Sequence, residues 1–330
     1  MIYAPHTFEI TLNLDTNKFY KLKDEAYSKS KGKHQTFHKN NIIFDHALAD
    51  YGIKIKYHDC TYKKKIKFIV NPSKTLGGDD VKKLWKPNKD NVSKLLGKLK
   101  KHIDDYFDSK YELNDFNLTR IDFTVNIDVG DRKIVSAYIK ALRNIGKVKG
   151  FAPKYSKNDD EINKDHSFDL EGISNGVEFT AYDKEAVSDQ KEAKGILRVE
   201  VRLTKQKTIR KYTDERITSK QLKSLSLNSE GIFLDSFTHI VPYGDFYKKK
   251  QAVKLVKDSI PKKKDREKML RLIGLIPTKK SLYLAQKEMN DRNIDKVMKM
   301  FAEINLSPVT ISKRHDIKHL KSLYFYLADK

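Results

Sequence analysis

The sequence predicts an α+β protein in which an antiparallel sheet with helices on one face is followed by a basic, mainly helical C-terminal domain. Three observations lead to this fold class. Short segments before residue 205 alternate apolar and polar residues, as half-buried strands do. Amphipathic helical patterns lie between them, and helical patterns dominate after residue 205. Because 330 residues are enough for two domains, we predict one over 1–205 and another over 206–330.

The first strands lie in the N-terminal third of the chain. TFEITLNL places Phe8 and Ile10 on one side of a strand and Glu9 on the other. GIKIKYHD alternates in the same way, with His58 on its polar side, and KIKFIV follows after a lysine-rich turn as its hairpin partner. The segment NPSKTLGGDDVKKLWKPNKDN then breaks the pattern with prolines and a Gly-Gly pair, which predicts a long basic loop containing Lys74.

The middle of the chain alternates helical and strand patterns. Residues 92–103 repeat apolar side chains at helical spacing, and a second helix is expected over 131–145. Between them, LTRIDFTVNID is the clearest strand, with Arg120 and Asp122 on its polar side. Residues 150–172 are polar and acidic and predict a surface loop. The strands GVEFTAYD and GILRVEVRL follow.

Short helices are expected near the C-terminus, in SLYLAQKEM, NIDKVMKMFAEI and SPVTISKRHDIKHL. In the last of these, Ser307 is a suitable N-cap and Pro308 a suitable first helical residue. The stretch from NIDKVMKMFAEI to SPVTISKRHDIKHL therefore resembles two helices joined by a turn, which is a motif that can enter the major groove of DNA.

The charge of the chain predicts a polyanionic partner. The formal net charge is +23, and residues 245–330 carry 22 Lys and Arg against 10 Asp and Glu, so the C-terminal portion is the stronger electrostatic footprint. An AT-rich genome would also account for part of the lysine content. No apolar run is long enough for a membrane span, and Cys60 is the single cysteine, so we expect a cytoplasmic protein without disulfides, membrane contacts or a cysteine-based zinc site.

The polar sides of three strands are expected to meet on one open face of the sheet, because their apolar sides pack against helices. Two carboxylates there can hold a divalent cation, arginines can bind phosphate oxygens, and a tyrosine can attack phosphorus. The alternative is a solvated face with cross-strand ion pairs and a tyrosine that only packs. The residues concerned are Arg120, Asp122, Tyr182, Arg198 and Glu200, with Lys184 two positions after the tyrosine.

Three short motifs resemble those of the rolling-circle replication initiators of filamentous phages, the gene II and gene X protein family. LTRID, AYDKE and LRVEVRL occur in the family's order and at similar spacing, and VNPSKTLGG resembles its Pro-x-Lys loop. Related signatures occur in plasmid and conjugative-element initiators and relaxases. The resemblance implies a HUH/Rep-like fold with an RRM-like core. It also implies an endonuclease that nicks one strand at an origin, stays linked to the 5′ phosphate through a tyrosine, and later rejoins the ends.

The resemblance also implies roles for individual residues. Tyr182 matches the nucleophile, and the other catalytic residues are Lys184, Arg120 and Arg198; Asp122 and Glu200 are expected to bind Mg²⁺ or Mn²⁺. The wider HUH class binds its metal through His-x-His, which this sequence lacks, so Glu9 and His58 are the candidates that complete the ligand set. The expected partners are double- and single-stranded origin DNA, a host helicase and a single-strand-binding protein. The predicted DNA-binding residues are Lys74, Lys248, Lys249, Lys250, Lys262, Lys263, Lys264, Lys313 and Arg314.

Two other functions remain open from the sequence. The protein can be a non-catalytic origin-binding replication regulator, in which the basic residues contact phosphates and the strand residues perform no chemistry. It can also be an RNA-binding protein with an RRM-like sheet. The RNA-binding alternative is the weakest, because Phe123 and Phe179 lie on the apolar sides of their strands instead of the face that would stack on bases.

The lysine clusters predict a salt-dependent affinity for DNA, because each phosphate contact releases counterions. Neutralising several of the six residues Lys248 to Lys250 and Lys262 to Lys264 should reduce the slope of log affinity against log salt concentration. Fluorescence anisotropy with labelled DNA over a range of NaCl concentrations measures that slope. An unchanged slope would mean that these lysines are only solvated.

Overall fold

The computed structural model of the protein describes residues 1–38, 41–79, 82–154 and 166–328. The chain forms two compact units, each assembled from separate stretches. The first unit contains Ile2–Thr124 and Arg202–Phe233, and the second contains Met1, Val125–Val201 and Leu234–Lys330. The predicted domains, 1–205 and 206–330, are each one continuous segment, unlike these units, and the predicted division stays a prediction.

Strands are concentrated before residue 205, as the alternating patterns predicted. In chain order they are β1 (Ala4–Leu14), β2 (Gln35–His38), β3 (Ile42–Asp45), β4 (Ile53–Asp59), β5 (Lys64–Val70), β6 (Asn117–Asp128), β7 (Phe151–Pro153), β8 (Ser167–Gly172), β9 (Val177–Asp183), β10 (Ile196–Leu203), β11 (Phe246–Tyr247) and β12 (His319–Leu320). Strands β6 and β10 contribute residues to both units.

Helices dominate the chain after residue 205. In chain order they are α1 (Thr16–Ser30), α2 (Pro72–Thr75), α3 (Lys89–Phe107), α4 (Arg132–Arg143), α5 (Lys184–Ser188), α6 (Gln206–Ile209), α7 (Thr218–Leu227), α8 (Ser229–Ile240), α9 (Lys249–Ser259), α10 (Lys263–Lys279), α11 (Leu282–Met289), α12 (Ile294–Glu303) and α13 (Leu323–Ala328). The predicted fold class, an α+β protein with an antiparallel sheet, is confirmed. None of the helices within the described residues is both long and apolar enough to span a membrane.

The first unit is built on strands in the order β2-β3-β4-β5-β1-β6. The pairings from β2 to β5, and those of β1 with β5 and β6, are antiparallel. The hairpin predicted from GIKIKYHD and KIKFIV is β4 with β5, in which Ile55 lies opposite Phe68. Ile55, Tyr57 and Phe68 are buried, so the period-two alternation correctly identified the core side of both strands.

Helices α1 and α3 cover the core side of this hairpin. Asp15 caps α1 by accepting a hydrogen bond from the Lys18 backbone N–H at 2.9 Å, and the Phe19 ring packs against Tyr57 at 5.9 Å between centroids. Phe107, the last residue of α3, lies 5.8 Å from Phe68 in the same measure. Both helices therefore lie on one side of β4 and β5, and the lysines that alternate with the core residues point to the other side.

A buried hydrogen-bond chain joins the sheet of the first unit to α3. The Tyr57 and Tyr106 hydroxyls lie 2.7 Å apart, and Tyr106 donates to the Asp45 carboxylate at 2.9 Å. Asp45 is only 1 % exposed and also accepts from the Ala47 backbone N–H. Burial raises the pKa of Tyr57 and Tyr106, so both tyrosines of this hydrogen-bond network stay in the neutral form.

The second unit contains strands in the order β6-β10-β9-β8-β7. β8 pairs antiparallel with β7 and β9, and α4 packs on β8 and β9. Helix α4 begins at its cap Asp131, within the range predicted, and buries Tyr138, whose hydroxyl donates to the Lys321 carbonyl at 2.8 Å. The C-terminal helices pack on one another, α10 contacting α9, α11 and α12.

The surface loop predicted over 150–172 is wrong for the part that the structure describes. Residues 151–153 form β7 and 167–172 form β8, with Phe168 and Leu170 buried. Their alternation in SFDLEG is only two apolar residues long, and the surrounding charges conceal it. Residues 155–165 lie outside the described residues.

The final helix predicted in SPVTISKRHDIKHL is also wrong, and with it the helix-turn-helix. Only α12 forms, whereas residues 307–318 have no helix. The Ser307 side chain accepts from the Val309 N–H at 3.2 Å, as an N-cap would, but Ile311 then pairs as a bridge with Lys248. The β-branched run Val309-Thr310-Ile311 is buried and favours an extended backbone, so the capping signal is not followed by a helix.

The long loop predicted between β5 and α3 contains one helical turn, α2, which Asn71 caps by accepting from the Lys74 N–H at 3.2 Å. Trp85 anchors the rest of the segment, because it is buried and its indole N–H donates to the Pro5 carbonyl at 2.6 Å. Asp80 and Val81 lie outside the described residues.

Replacing Tyr106 with Phe should lower the free energy of unfolding by about 1–3 kcal/mol, because the buried Tyr57 hydroxyl and Asp45 carboxylate each lose a partner. Urea denaturation measures the change. The matched control is Tyr20→Phe, which removes an exposed hydrogen bond to Asp59 and should have a smaller effect. Equal effects of the two substitutions would contradict a stabilising role for the buried chain.

Candidate active site

Tyr182 lies on the polar side of β9, next to its C-terminal end. The strand alternates buried Val177, Phe179 and Ala181 with partly exposed residues, and Tyr182 is opposite Ser167 of β8. Asp183 then turns the chain into α5 by accepting from the Ala186 N–H at 3.2 Å. The strand parity predicted from the sequence is therefore correct at Tyr182.

Strand β10 brings two of the other predicted site residues to this tyrosine. The Tyr182 hydroxyl donates to the Glu200 carboxylate at 2.8 Å, and Arg198 donates from its Nε to the Asn126 side-chain oxygen at 2.7 Å. Arg198 also forms a hydrogen bond with Tyr182. We call Tyr182, Arg198, Glu200 and Asn126 the Tyr182 cluster. Asn126 was not predicted as a site residue, although its position on the polar side of LTRIDFTVNID places it on the same side as Asp122.

The two charged residues of the Tyr182 cluster are buried, whereas Tyr182 and Asn126 are partly exposed, so the cluster is more covered than the open face that the sequence predicted. Arg198 is 0 % exposed and Glu200 is 5 % exposed. The alternation of a strand determines which side a residue takes, but it carries no information about how far the rest of the chain covers that side. Both buried charges have hydrogen-bond partners within the cluster, since Glu200 accepts from Tyr182 and Arg198 donates to Asn126, as groups removed from water must.

The surroundings of Tyr182 hold its hydroxyl in the protonated form. Burial raises its pKa well above the ordinary value of 10.0, and the nearby Glu200 carboxylate raises it further. The charge of Arg198 and its hydrogen bond lower the pKa and so oppose these effects. The tyrosine thus has a proton acceptor and a stabiliser of its anion within reach.

Lys184 is the first residue of α5 and does not continue strand β9. It is 7 % exposed, so its ammonium-bearing side chain is largely withdrawn from water. Its neighbour Asp183 lies 3.6 Å from Arg132 in an ion pair. The catalytic role predicted for Lys184 stays a prediction.

Arg120 and Asp122 form a separate cluster in the first unit. Arg120 binds Asp122 through two hydrogen bonds, one of them from its Nε at 2.8 Å, and the Arg202 Nε lies 3.1 Å from the same carboxylate. Asp122 is 1 % exposed. We call these three residues the Asp122 cluster. The two members predicted from the sequence, Arg120 and Asp122, are in contact, as expected for residues two positions apart on one strand. That this cluster lies next to Tyr182 stays a prediction.

The two additional metal ligands predicted in the first unit have other partners. Glu9 accepts from Lys67 at 2.6 Å and from the Thr119 hydroxyl at 2.8 Å. His58 lies 3.1 Å from the Cys60 sulfur. Burial and the neighbouring lysines lower the pKa of His58. The positive charge of these lysines opposes the binding of a metal cation at His58.

The arrangement does not fit a metal centre within the described residues, where no group of three His, Cys, Asp or Glu side chains converges. Asp122 is held by two guanidinium groups, Glu9 by an ammonium group and Glu200 by the Tyr182 hydroxyl. The involvement of Mg²⁺ or Mn²⁺ accordingly stays a prediction.

The predicted DNA-binding residues lie on the surface, with Lys248 half-buried and the others exposed. In the second unit they cluster at two helix starts: Lys249 and Lys250 open α9, and Lys263 and Lys264 open α10. Positive side chains at a helix N-terminus oppose the helix dipole, and a bound anion relieves that conflict. Lys313 and Arg314 lie in a turn, because the helix predicted for them does not form.

The family to which the chain belongs follows from its similarity to known proteins. Residues 24–223, more than half of the chain, match the N-terminal region that defines the family of the replication-associated gene II protein of phages. The chain belongs to this family, which confirms the predicted resemblance to the rolling-circle replication initiators of filamentous phages.

A solved structure is also similar, that of a rolling circle replication initiator protein from Geobacillus stearothermophilus. Its sequence identity is 12 % and its TM-score 0.38, over 72 % of this chain and 85 % of that one. No curated protein matches the chain.

The charges around Tyr182 predict how its titration responds to substitution. Removing the Glu200 charge in Glu200→Gln should move the ionisation of Tyr182 to lower pH, because a carboxylate that opposes the phenolate is lost. NMR of protein containing ¹³Cζ-labelled tyrosine follows this ionisation, and the signal missing in Tyr182→Phe identifies the residue. Below pH 10.0 the wild-type signal should not titrate. An unchanged titration in Glu200→Gln would contradict the coupling.

Proposed function

We propose that the protein initiates rolling-circle replication by nicking one DNA strand at its origin through a 5′-phosphotyrosyl intermediate on Tyr182, and later rejoins the strand. The observation that carries this proposal is the hydrogen bond from the Tyr182 hydroxyl to Glu200, with Arg198 beside it. A nucleophile whose own base lies at 2.8 Å and whose anion has a guanidinium nearby is the usual arrangement for covalent catalysis.

In the proposed nicking step, the Tyr182 oxygen attacks the phosphorus of the scissile phosphodiester while its proton passes to the Glu200 carboxylate. The bond from phosphorus to the 3′ oxygen of the preceding nucleotide breaks, and that oxygen takes up a proton from water and leaves as a 3′ hydroxyl. Arg198 stabilises the negative charge that forms on the tyrosine and the phosphoryl oxygens.

Rejoining is the reverse reaction. A 3′ hydroxyl gives its proton to water and attacks the phosphotyrosine, the bond from phosphorus to the Tyr182 oxygen breaks, and the phenol recovers its proton from Glu200. The phosphodiester energy is conserved in the protein–DNA bond, so the step needs no nucleotide cofactor. Only one tyrosine takes part in this reaction.

Glu200 changes its proposed role in this mechanism. The sequence predicted a metal ligand, whereas the hydrogen bond from Tyr182 supports a general base. The predicted Mg²⁺ or Mn²⁺ is therefore left out of the proton transfer. Its participation, and that of Lys184, Arg120 and Asp122, is tested by omitting the cation and by substituting these residues in the same assay.

The proposed handling of DNA follows from the distribution of charge. The exposed lysines at the starts of α9 and α10 are suited to duplex phosphates, and the nicked strand has to reach the Tyr182 cluster unpaired. The predicted host helicase and single-strand-binding protein would act on the strand displaced after nicking.

Nicking of supercoiled DNA that carries the protein's own origin tests the proposal. With Mg²⁺ or Mn²⁺ present, wild-type protein should give open circles and a covalent adduct on a denaturing gel, and Tyr182→Phe should give neither. Glu200→Gln should slow nicking by about 10²–10⁴-fold, as expected for loss of a general base. A parallel reaction with EDTA tests whether nicking requires the divalent cation.

The matched control is Tyr283→Phe, which makes the same change on α11 of the same unit and should nick at the wild-type rate. Nicking by Tyr182→Phe at the wild-type rate would mean that the nucleophile lies elsewhere. If neither wild type nor variant nicks its origin, the protein is an origin-binding regulator and not an enzyme.

A further inference from the structure

The hairpin of β4 and β5 has a strongly basic side that none of the predicted DNA-binding residues occupies. On the side away from α1 and α3, β4 carries Lys54, Lys56 and His58, and β5 carries Lys65 and Lys67. The register places Lys56 opposite Lys67 and His58 opposite Lys65. We call these five residues the basic hairpin side.

Like charges directly opposite on neighbouring strands destabilise a sheet, so this pattern has a cost for folding. Within the part of the chain that the structure describes, Lys67 has an ion pair, with Glu9 at 2.6 Å, whereas Lys54, Lys56 and Lys65 have none. An anionic ligand would relieve the repulsion.

Aromatic groups accompany these lysines. Lys54 and Lys56 lie 5.4 and 5.8 Å from the centre of the Phe44 ring on β3, the neighbouring strand. The turn that joins β4 to β5 projects Tyr62, which is 95 % exposed and is followed directly by Lys63. A fully solvated tyrosine at a hairpin tip gains nothing from packing within the chain.

Surfaces that combine cationic side chains with exposed aromatic rings bind unpaired nucleic acid strands, whose bases stack on the rings while their phosphates contact the charges. A duplex offers its bases only through the grooves, so a single projecting tyrosine contributes little to it. The combination of an exposed ring and a row of lysines therefore favours a single strand.

We infer that the basic hairpin side and Tyr62 form a binding surface for single-stranded DNA, with phosphates on Lys54, Lys56 and Lys65 and a base stacked on Tyr62. This deepens the proposed function and rests on it for the choice of DNA, because it assigns a binding surface to the unpaired strand. The surface lies in the first unit, whereas the proposed nucleophile belongs to the second.

Binding of fluorescein-labelled oligothymidylate to the full-length protein, followed by anisotropy at several NaCl concentrations, tests the lysines. The double variant Lys54→Gln/Lys56→Gln should reduce the slope of log affinity against log salt by about 1.4, since each phosphate contact on a single strand contributes about 0.7. The matched control is Lys94→Gln/Lys101→Gln. It removes the same charge from exposed positions of α3, which covers the opposite side of the hairpin, and should leave the slope near the wild-type value.

The tip of the hairpin is tested separately with Tyr62→Ala and Tyr62→Phe. Loss of stacking in Tyr62→Ala should weaken oligothymidylate binding about tenfold, whereas Tyr62→Phe keeps the ring and should bind like the wild type. Binding to a duplex of the same length should be unchanged in both. Because Tyr62 is 95 % exposed, neither substitution disturbs the core.

The inference is overturned if the hairpin and helix double variants have equal salt slopes, or if Tyr62→Ala binds the single strand as well as the wild type does. Equal weakening of duplex and single strand in Tyr62→Ala would also overturn it, because the surface would then be a duplex contact. These measurements use DNA without an origin and do not depend on Tyr182. A failure of nicking with the expected binding results would therefore reject the proposed function alone.

Discussion

The hydrogen bond between the Tyr182 hydroxyl and the Glu200 carboxylate is the interaction on which the candidate site depends. Its two residues come from β9 and β10, and Arg198, two positions before Glu200, balances the buried negative charge. An unpaired carboxylate or guanidinium would be strongly unfavourable at such burial, so each group requires the others. The same contacts support the proposed chemistry, because they give the tyrosine a proton acceptor and its anion a counter-charge.

The Asp122 cluster follows the same rule with a different result. There the buried carboxylate is bound by the guanidinium groups of Arg120 and Arg202. A cation that bound Asp122 would have to compete with both arginines. The two buried carboxylates thus have different environments, since Glu200 faces a group that can lose a proton and Asp122 faces groups that stay charged.

The sequence predicted strands well where buried and polar residues alternate over several positions, as in β4, β6, β9 and β10. It failed at β8, where the alternation is short, and at residues 307–318, where a good cap precedes residues that are buried in extended backbone. Local patterns do not contain the long-range pairing of Ile311 with Lys248 that decides this segment. Helix formation there is overridden by tertiary contacts.

The candidate site was predictable in the same limited sense. Strand parity brought Tyr182, Arg198 and Glu200 to one side, but parity says nothing about which groups form hydrogen bonds. The hydrogen bonds from Tyr182 to Glu200 and from Arg198 to Asn126 are therefore visible only in the three-dimensional structure. The lysines of the basic hairpin side were visible as an alternating pattern in IKIKYHD. That Tyr62 is exposed beside them follows only from the strand register and from the side of the hairpin that the helices cover.

Identification of the residue that carries DNA tests the central claim most directly. Protein reacted with single-stranded DNA from its own origin is digested with nuclease and protease, and mass spectrometry locates the residual nucleotide. The mechanism predicts a single modified peptide, with the 5′ phosphate on Tyr182. A nucleotide on any other of the 17 tyrosines, or on a different type of residue, would contradict it.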